Sequence, residues 1–338
     1  MPLVLAASDK FRGTASAREI AQAIAAGAMD AGWRCDEAPM SDGGEGLLEV
    51  FGGANRSTSV TGPLGHVVDA AWRLDGATAV IESAEACGIT RAGGADANDP
   101  VNATTAGVGE LLTAALDGGA RNIIVGLGGS ATTDGGLGAL RAGPRPGRMK
   151  GVDLVIACDV ETWFTDAAAV FGPQKGASTK QVELLSRRLV TLLDAYRSDY
   201  GVDLTDVAGG GAAGGLAGGL VVLGGRIVRG VDAVADAVEL DDRLDAADAV
   251  ITGEGFLDAA SFAGKVVGGI VERAEWAAKP VGVVVGDTDA AGLAAAAGCD
   301  PAPYVVSLTA EHGEEAARAD TIALVRREVS RFLASMSQ

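Results

Sequence analysis

Seven carboxylates of this 338-residue chain, Asp9, Asp42, Glu45, Asp134, Asp159, Glu254 and Asp258, stand in or near glycine-rich stretches. Glycine supplies 50 residues, about twice the usual ~7%, and it is clustered. The clusters are Asp42-Gly43-Gly44-Glu45-Gly46, Gly126-Leu127-Gly128-Gly129-Ser130, Asp134-Gly135-Gly136, Gly209–Gly219 and Thr252-Gly253-Glu254-Gly255. Only six lysines occur against 21 arginines, yet Lys10, Lys175 and Lys265 all fall in loop-like settings. Glycine loops at strand ends turn backbone N–H groups toward an anion. A lysine adds a compact point charge. A carboxylate holds a divalent cation or takes a proton from a hydroxyl. Together these are the parts that Mg2+-dependent phosphoryl transfer uses. Each type also has a plain structural use, in tight turns and helix caps.

Other chemistries are poorly provided for. A P-loop needs G-x-x-x-x-G-K-S/T, but before Gly264-Lys265 Ala259 replaces the first glycine, and Val266 follows in place of the hydroxyl residue. The run Gly209-Gly210-Gly211-Ala212-Ala213-Gly214 satisfies G-x-G-x-x-G without a clear strand before it. Two histidines, His66 and His312, leave little for a Ser-His-Asp triad or a histidine metal centre. Cys35, Cys87, Cys158 and Cys299 form no C-x-x-C pair, which points to reduced thiols in a cytoplasmic protein. The net charge of −18 argues against nucleic acid or an anionic membrane as partner. The apolar start Pro2–Ala7 is too short for a signal segment, and no run approaches a membrane span.

The elements that must position these residues alternate. Leu3–Ala7, Asn122–Gly126, Asp153–Ala157, Ala249–Thr252 and Pro280–Val285 read as buried strands. Ala17–Ala31, Thr104–Asp117, Thr179–Tyr200, Lys265–Ala277 and Glu314–Ala334 read as helices. Such alternation predicts an α/β fold with mostly parallel sheets. Ser57–Ile81 breaks the rhythm as a hairpin or meander around Gly62-Pro63-Leu64-Gly65, so a second domain is expected to begin near residue 60.

Taken in order, six segments resemble the motifs of the bacterial glycerate kinase family, the first of the unrelated glycerate kinase types. They are Ala7-Ser8-Asp9-Lys10-Phe11-Arg12-Gly13-Thr14, Pro39-Met40-Ser41-Asp42-Gly43-Gly44-Glu45-Gly46, Gly128-Gly129-Ser130-Ala131-Thr132-Thr133-Asp134-Gly135-Gly136, Phe171-Gly172-Pro173-Gln174-Lys175-Gly176-Ala177, Gly211-Ala212-Ala213-Gly214-Gly215, and Ile251-Thr252-Gly253-Glu254-Gly255-Phe256-Leu257-Asp258 followed by Gly264-Lys265. The resemblance implies a discontinuous Rossmann-like parallel-sheet domain, residues 1–60 and 240–338, and an inserted mixed α/β domain, residues 61–239, with the active site in the cleft. It implies ATP- and Mg2+-dependent phosphorylation of D-glycerate, 2-phosphoglycerate being favoured over 3-phosphoglycerate. The partners are then a small hydroxy acid and ATP, with room for a homodimer.

On this reading Asp42, Asp159, Asp134 and Lys10 are the catalytic candidates, Asp42 and Asp159 leading as general base. Arg12, Ser130, Lys175, Glu254, Asp258 and Lys265 are candidates to bind substrate or phosphate. Gly43, Gly44, Gly128, Gly129, Gly253 and Gly255 form the loops, and Glu45 is the metal candidate. Lys175 is expected to act on an anion together with the N-terminus of the helix near Thr179.

Four features depart from the family pattern. Asp159-Val160-Glu161-Thr162-Trp163-Phe164 lacks the usual Asn-Pro turn, Phe256 replaces an Arg, Thr133 replaces an Asn, and the segment 141–151 is short. Losing a guanidinium and gaining apolar rings should weaken a small dianionic product or make room for a different hydroxy acid. Two alternatives therefore stand beside the first reading: a kinase for another small hydroxy acid, and a non-catalytic nucleotide or organic-acid sensor. The retained charged residues favour an enzyme, because many ionised groups in one place are costly unless metal and phosphate neutralise them.

Overall fold

The computed structural model describes residues 1–336; the end of the expected segment 240–338, Ser337 and Gln338, lies outside the described residues. In chain order the strands are β1 (Leu3–Ala6), β2 (Arg34–Glu37), β3 (Arg56–Thr61), β4 (Val67–Asp75), β5 (Thr78–Glu82), β6 (Asn122–Gly126), β7 (Asp153–Ala157), β8 (Arg226–Val228), β9 (Ala249–Leu257), β10 (Val281–Thr288) and β11 (Tyr304–Ser307). The chain divides into two compact units, residues 1–42 with 231–338, and residues 43–230.

The first unit is built on a five-stranded sheet in the order β11-β10-β9-β1-β2, every pair parallel. Parallel strands are covered on both faces, which is why β1 and the first half of β9 are continuous apolar runs. Val4, Ala6, Ala249 and Ile251 pack with Ile20, Ile24, Val325, Val329 and Leu333 from two helices, Ala17–Asp30 and Thr321–Met336. The first of these begins at a capping box, in which the Glu19 N–H donates to Ser16 Oγ at 3.3 Å and the Ser16 N–H to Glu19 Oε2 at 2.9 Å. The expected helix Glu314–Ala334 is two, Glu314–Ala319 and Thr321–Met336. From β1 the chain passes through Ala17–Asp30 to β2 on one side; from β9 it passes through the helix Val266–Trp276 to β10 on the other. The carboxyl ends of β1 and β9 thus border a topological switch point, where open α/β sheets bind ligands.

The second unit carries a six-stranded mixed sheet in the order β3-β4-β5-β6-β7-β8. The meander β3-β4-β5 is antiparallel and the rest parallel. Because β5 pairs with β6 from Thr78↔Asn122 to Glu82↔Gly126, the whole meander belongs to this unit. The crossings fall at 42/43 and 230/231, where the sequence reading put them at 60/61 and 239/240. Trp72, Ile81, Leu111, Ile123, Ile156 and Leu220 form its main core, and Phe164, Leu185, Leu189, Tyr196 and Leu204 a second one. The glycine tract that showed no strand before it is the turn into a helix, Ala212–Val222, with Ala213, Gly214 and Gly215 in left-handed conformation. Among the described residues, no helix is long and apolar enough to cross a membrane, and all four cysteines are free thiols.

Candidate active site

The carboxyl ends of β1, β9 and β10 open on a cavity of about 480 Å3 in the first unit. The segment after β1 is tied to β9 by backbone bonds from the N–H of Ala7 to the carbonyl of Ile251 (2.8 Å) and from the N–H of Asp9 to that of Gly253 (3.0 Å). Asp9 and Lys10 are thereby set beside Glu254, Gly255 and Phe256. Lys10, Arg12, Lys265 and Arg318 line the cavity with Asp9, Asp42, Glu254, Asp258, Asp287 and Glu314. Lys265 occupies the N-cap of the helix Val266–Trp276, whose amino end adds partial positive charge.

Burial and the neighbouring Asp42 push the Asp9 carboxyl up to about 6, against the pull of Lys10 and Arg12. Burial, Asp9 and Asp258 push Glu254 up to about 7, opposed by Ser261 and Lys265. Glu254 Oε1 is buried without a hydrogen-bond partner. Asp258 is partly engaged already, Oδ1 accepting from the Ser261 N–H at 2.9 Å and its hydroxyl at 3.2 Å.

A second cavity, of about 270 Å3, lies in the second unit at the ends of β6 and β7. Gly128, Gly129 and Ser130 follow β6, Asp159 and Val160 follow β7, and Phe171, Gln174, Lys175, Ala212 and Ala213 complete much of the lining. The Lys175 ammonium donates to Ser130 Oγ at 2.9 Å and to the Thr132 carbonyl at 2.6 Å, 5.9 Å from the centre of the Phe171 ring. Asn98 Nδ2 pins the two loops together, donating to the carbonyls of Ala131 (3.0 Å) and Lys175 (2.9 Å). Burial pulls Lys175 down to about 8.

The residues singled out in the sequence are therefore divided. Lys10, Arg12, Asp42, Glu254, Gly255, Asp258 and Lys265 meet in one cavity; Gly128, Gly129, Ser130, Asp159 and Lys175 meet in the other. Asp134, Glu45, Gly43, Gly44 and Gly253 line neither. Asp134, expected as catalytic, is occupied by hydrogen bonds from neighbouring loops. It accepts from the Thr105 N–H (2.9 Å) and hydroxyl (2.9 Å) and from the N–H groups of Gly136 (3.0 Å) and Gly138 (3.1 Å). Glu45, the metal candidate, is exposed, and among the described residues no cluster of three or more His, Cys, Asp or Glu is arranged to hold a metal ion. Gly43 packs on Ala157 and Gly253 on Val284, where a Cβ would clash, so these glycines serve close approach. The helix Thr179–Tyr200 closes its own amino end with Ser178 and Gln181 and takes no part in the lining around Lys175. Phe256 lines the first cavity, half exposed, while Trp163 lines neither.

The sequence reading missed Asp287, Thr309, Glu314 and Arg318. Asp287 was within reach, since it ends a buried apolar strand and strand ends are where such sheets carry function. Arg318 sits on a short exposed helix, paired with Glu314 at 3.3 Å, and has no local signature.

The profile of the glycerate kinase family matches residues 4–143 and 144–336. An uncharacterized protein of Mycobacterium bovis is 42% identical over 302 residues, 84% of this chain and 78% of its own length. The glycerate 2-kinase of Escherichia coli is 36% identical over 339 residues, 88% of each chain. A crystal structure described as that of a glycerate kinase 2 from Salmonella typhimurium superposes with a TM-score of 0.85 at 32% identity, covering 100% of this chain and 98% of the other. Similarity sustained over this length, in sequence and in fold alike, has one consequence: the chain belongs to the glycerate kinase family and is a kinase.

Proposed function

We propose that the protein transfers the terminal phosphoryl group of ATP, with Mg2+, to the 2-hydroxyl of D-glycerate, giving 2-phosphoglycerate. The observation that carries this reading is the switch-point cavity, where Lys10, Arg12, Lys265 and Arg318 stand among six carboxylates. Several cations in one place suit a polyphosphate. The acidic groups suit a divalent cation: Asp9 and Asp42 repel each other, and Glu254 keeps a buried oxygen with no partner. Mg2+ is commonly held by one or two carboxylates together with phosphate oxygens and water. The pair Asp9 and Asp42 would hold it, and when bound it would neutralise charge on the phosphate oxygens. Lys10, Arg12 and Lys265 then orient the polyphosphate.

The E. coli relative is named a glycerate 2-kinase, which supports the position of transfer. Phe256 lines the switch-point cavity, and Trp163 lines neither cavity. Free thiols support a cytoplasmic location. Product identity tests the reaction. Purified protein is supplied with ATP, Mg2+ and D-glycerate, and the product is offered to enolase with and without phosphoglycerate mutase. Signal without the mutase is the expected result. Signal only with the mutase would move the transfer to the 3-hydroxyl, and no ADP formation would reject the reading.

A further inference from the structure

The second cavity contains a buried cation with no ion-pair partner among the described residues; Asp134 acts on it only through space. Lys175 is 3% exposed. Its ammonium reaches Ser130 and the Thr132 carbonyl, and among the described residues no carboxylate forms an ion pair with it. An ammonium has three N–H groups, so one donor remains for a group from outside. A charge buried without a partner is costly, and an anion entering the cavity would complete the site.

The lining restricts which anion this is. Lys175 is its one cation among the described residues, and Asp159 its one carboxylate. One positive charge matches a single carboxylate, whereas a polyphosphate calls for several. A volume of about 270 Å3 accepts a short acid and is small for a nucleoside triphosphate. Asp159 would repel a second anionic group and accept a hydrogen bond from a hydroxyl. We propose that this cavity is the subsite of the acceptor acid, with Lys175 and Ser130 holding the single carboxylate of a short hydroxy acid. The name of the acid rests on the glycerate reading; its class rests on the cavity.

Thermal shift and calorimetric titration of the full chain test this. D-Glycerate should stabilise the wild type, and glycerol, which lacks the carboxylate, should not at the same concentration. Lys175→Met should weaken D-glycerate by roughly 10- to 100-fold, the loss of one charged hydrogen bond, and leave the shift from ATP and Mg2+ in place. If Lys175→Met does not fold, Ser130→Ala gives the same selective loss at smaller size. Retention of the glycerate shift in both variants, or loss of the nucleotide shift in place of it, would overturn the proposal. A wild type that phosphorylates no glycerate defeats the functional reading alone. The subsite is then decided with lactate and glycolate, by a Lys175-dependent shift that supports it or by none, which overturns it.

Discussion

A Cβ on Gly214 would overlap the carbonyl oxygen of Thr132, the same oxygen that accepts from the Lys175 ammonium at 2.6 Å. Gly214 also has φ +71°, a conformation that side chains with a Cβ disfavour. The glycine tract is therefore what lets the helix Ala212–Val222 press on the loop that orients Lys175. Gly214→Ala should cost about 1–3 kcal/mol, seen as a lower Tm. It should also raise KM for the acid more than KM for the nucleotide. Wild-type Tm and KM would contradict this linkage.

The pH dependence of acid binding follows from Lys175. Burial brings its ammonium down to about 8, while Cys87 and Asp134 pull the other way and Asp159 shares the cavity. KM for the acid should climb as pH rises above about 8, because the neutral amine no longer pairs with a carboxylate. In the unliganded protein the sign for stability is opposite. The unfolded chain binds more protons between about 8 and 10.5, so this group adds stability as pH rises through that window. Lys175→Arg, which stays charged, should flatten the KM profile; an unchanged profile would exclude Lys175 as its source.

Much of this was legible from local pattern. Asn122–Gly126, Asp153–Ala157 and Thr179–Tyr200 run between the residues expected of them, since apolar runs and a helical period state themselves locally. Which charged residues share a cavity was not legible, because that depends on β9 lying beside β1 despite some 240 intervening residues. Asp134 shows why a motif misleads about roles. Its glycine neighbours look like an anion loop, yet two of them, Gly136 and Gly138, donate their N–H groups to Asp134 itself.

Asp9 and Glu254 make the unliganded protein less stable at neutral pH. Their carboxyls are raised to about 6 and about 7, so the folded state holds more protons than the unfolded chain between about pH 4 and 7. Their contribution is full below that window and lost above it. Glu254→Gln should raise Tm at pH 8 by about 2–4 °C, reduce the fall in Tm between pH 5 and 7, and lower kcat. A Tm below wild type at pH 8 would contradict the burial penalty.

Phe256, at 50% exposure, lines the cavity of Lys10 and Lys265, where an added guanidinium would meet phosphate. Phe256→Arg should lower KM for ATP by about 2- to 5-fold, the size of a solvent-exposed charge pair, and leave KM for glycerate within about twofold. A change confined to glycerate would place this side chain on the acid instead.

Steady-state kinetics of Lys265→Met and Lys175→Met, with each substrate varied in turn, test most directly whether each cavity takes one substrate. The expected result is a crossed pattern. Lys265→Met raises KM for ATP by about tenfold or more, the worth of a charged hydrogen bond, and leaves glycerate nearly unchanged, while Lys175→Met does the reverse. Equal effects on both substrates in either variant, or the two patterns exchanged, would contradict it.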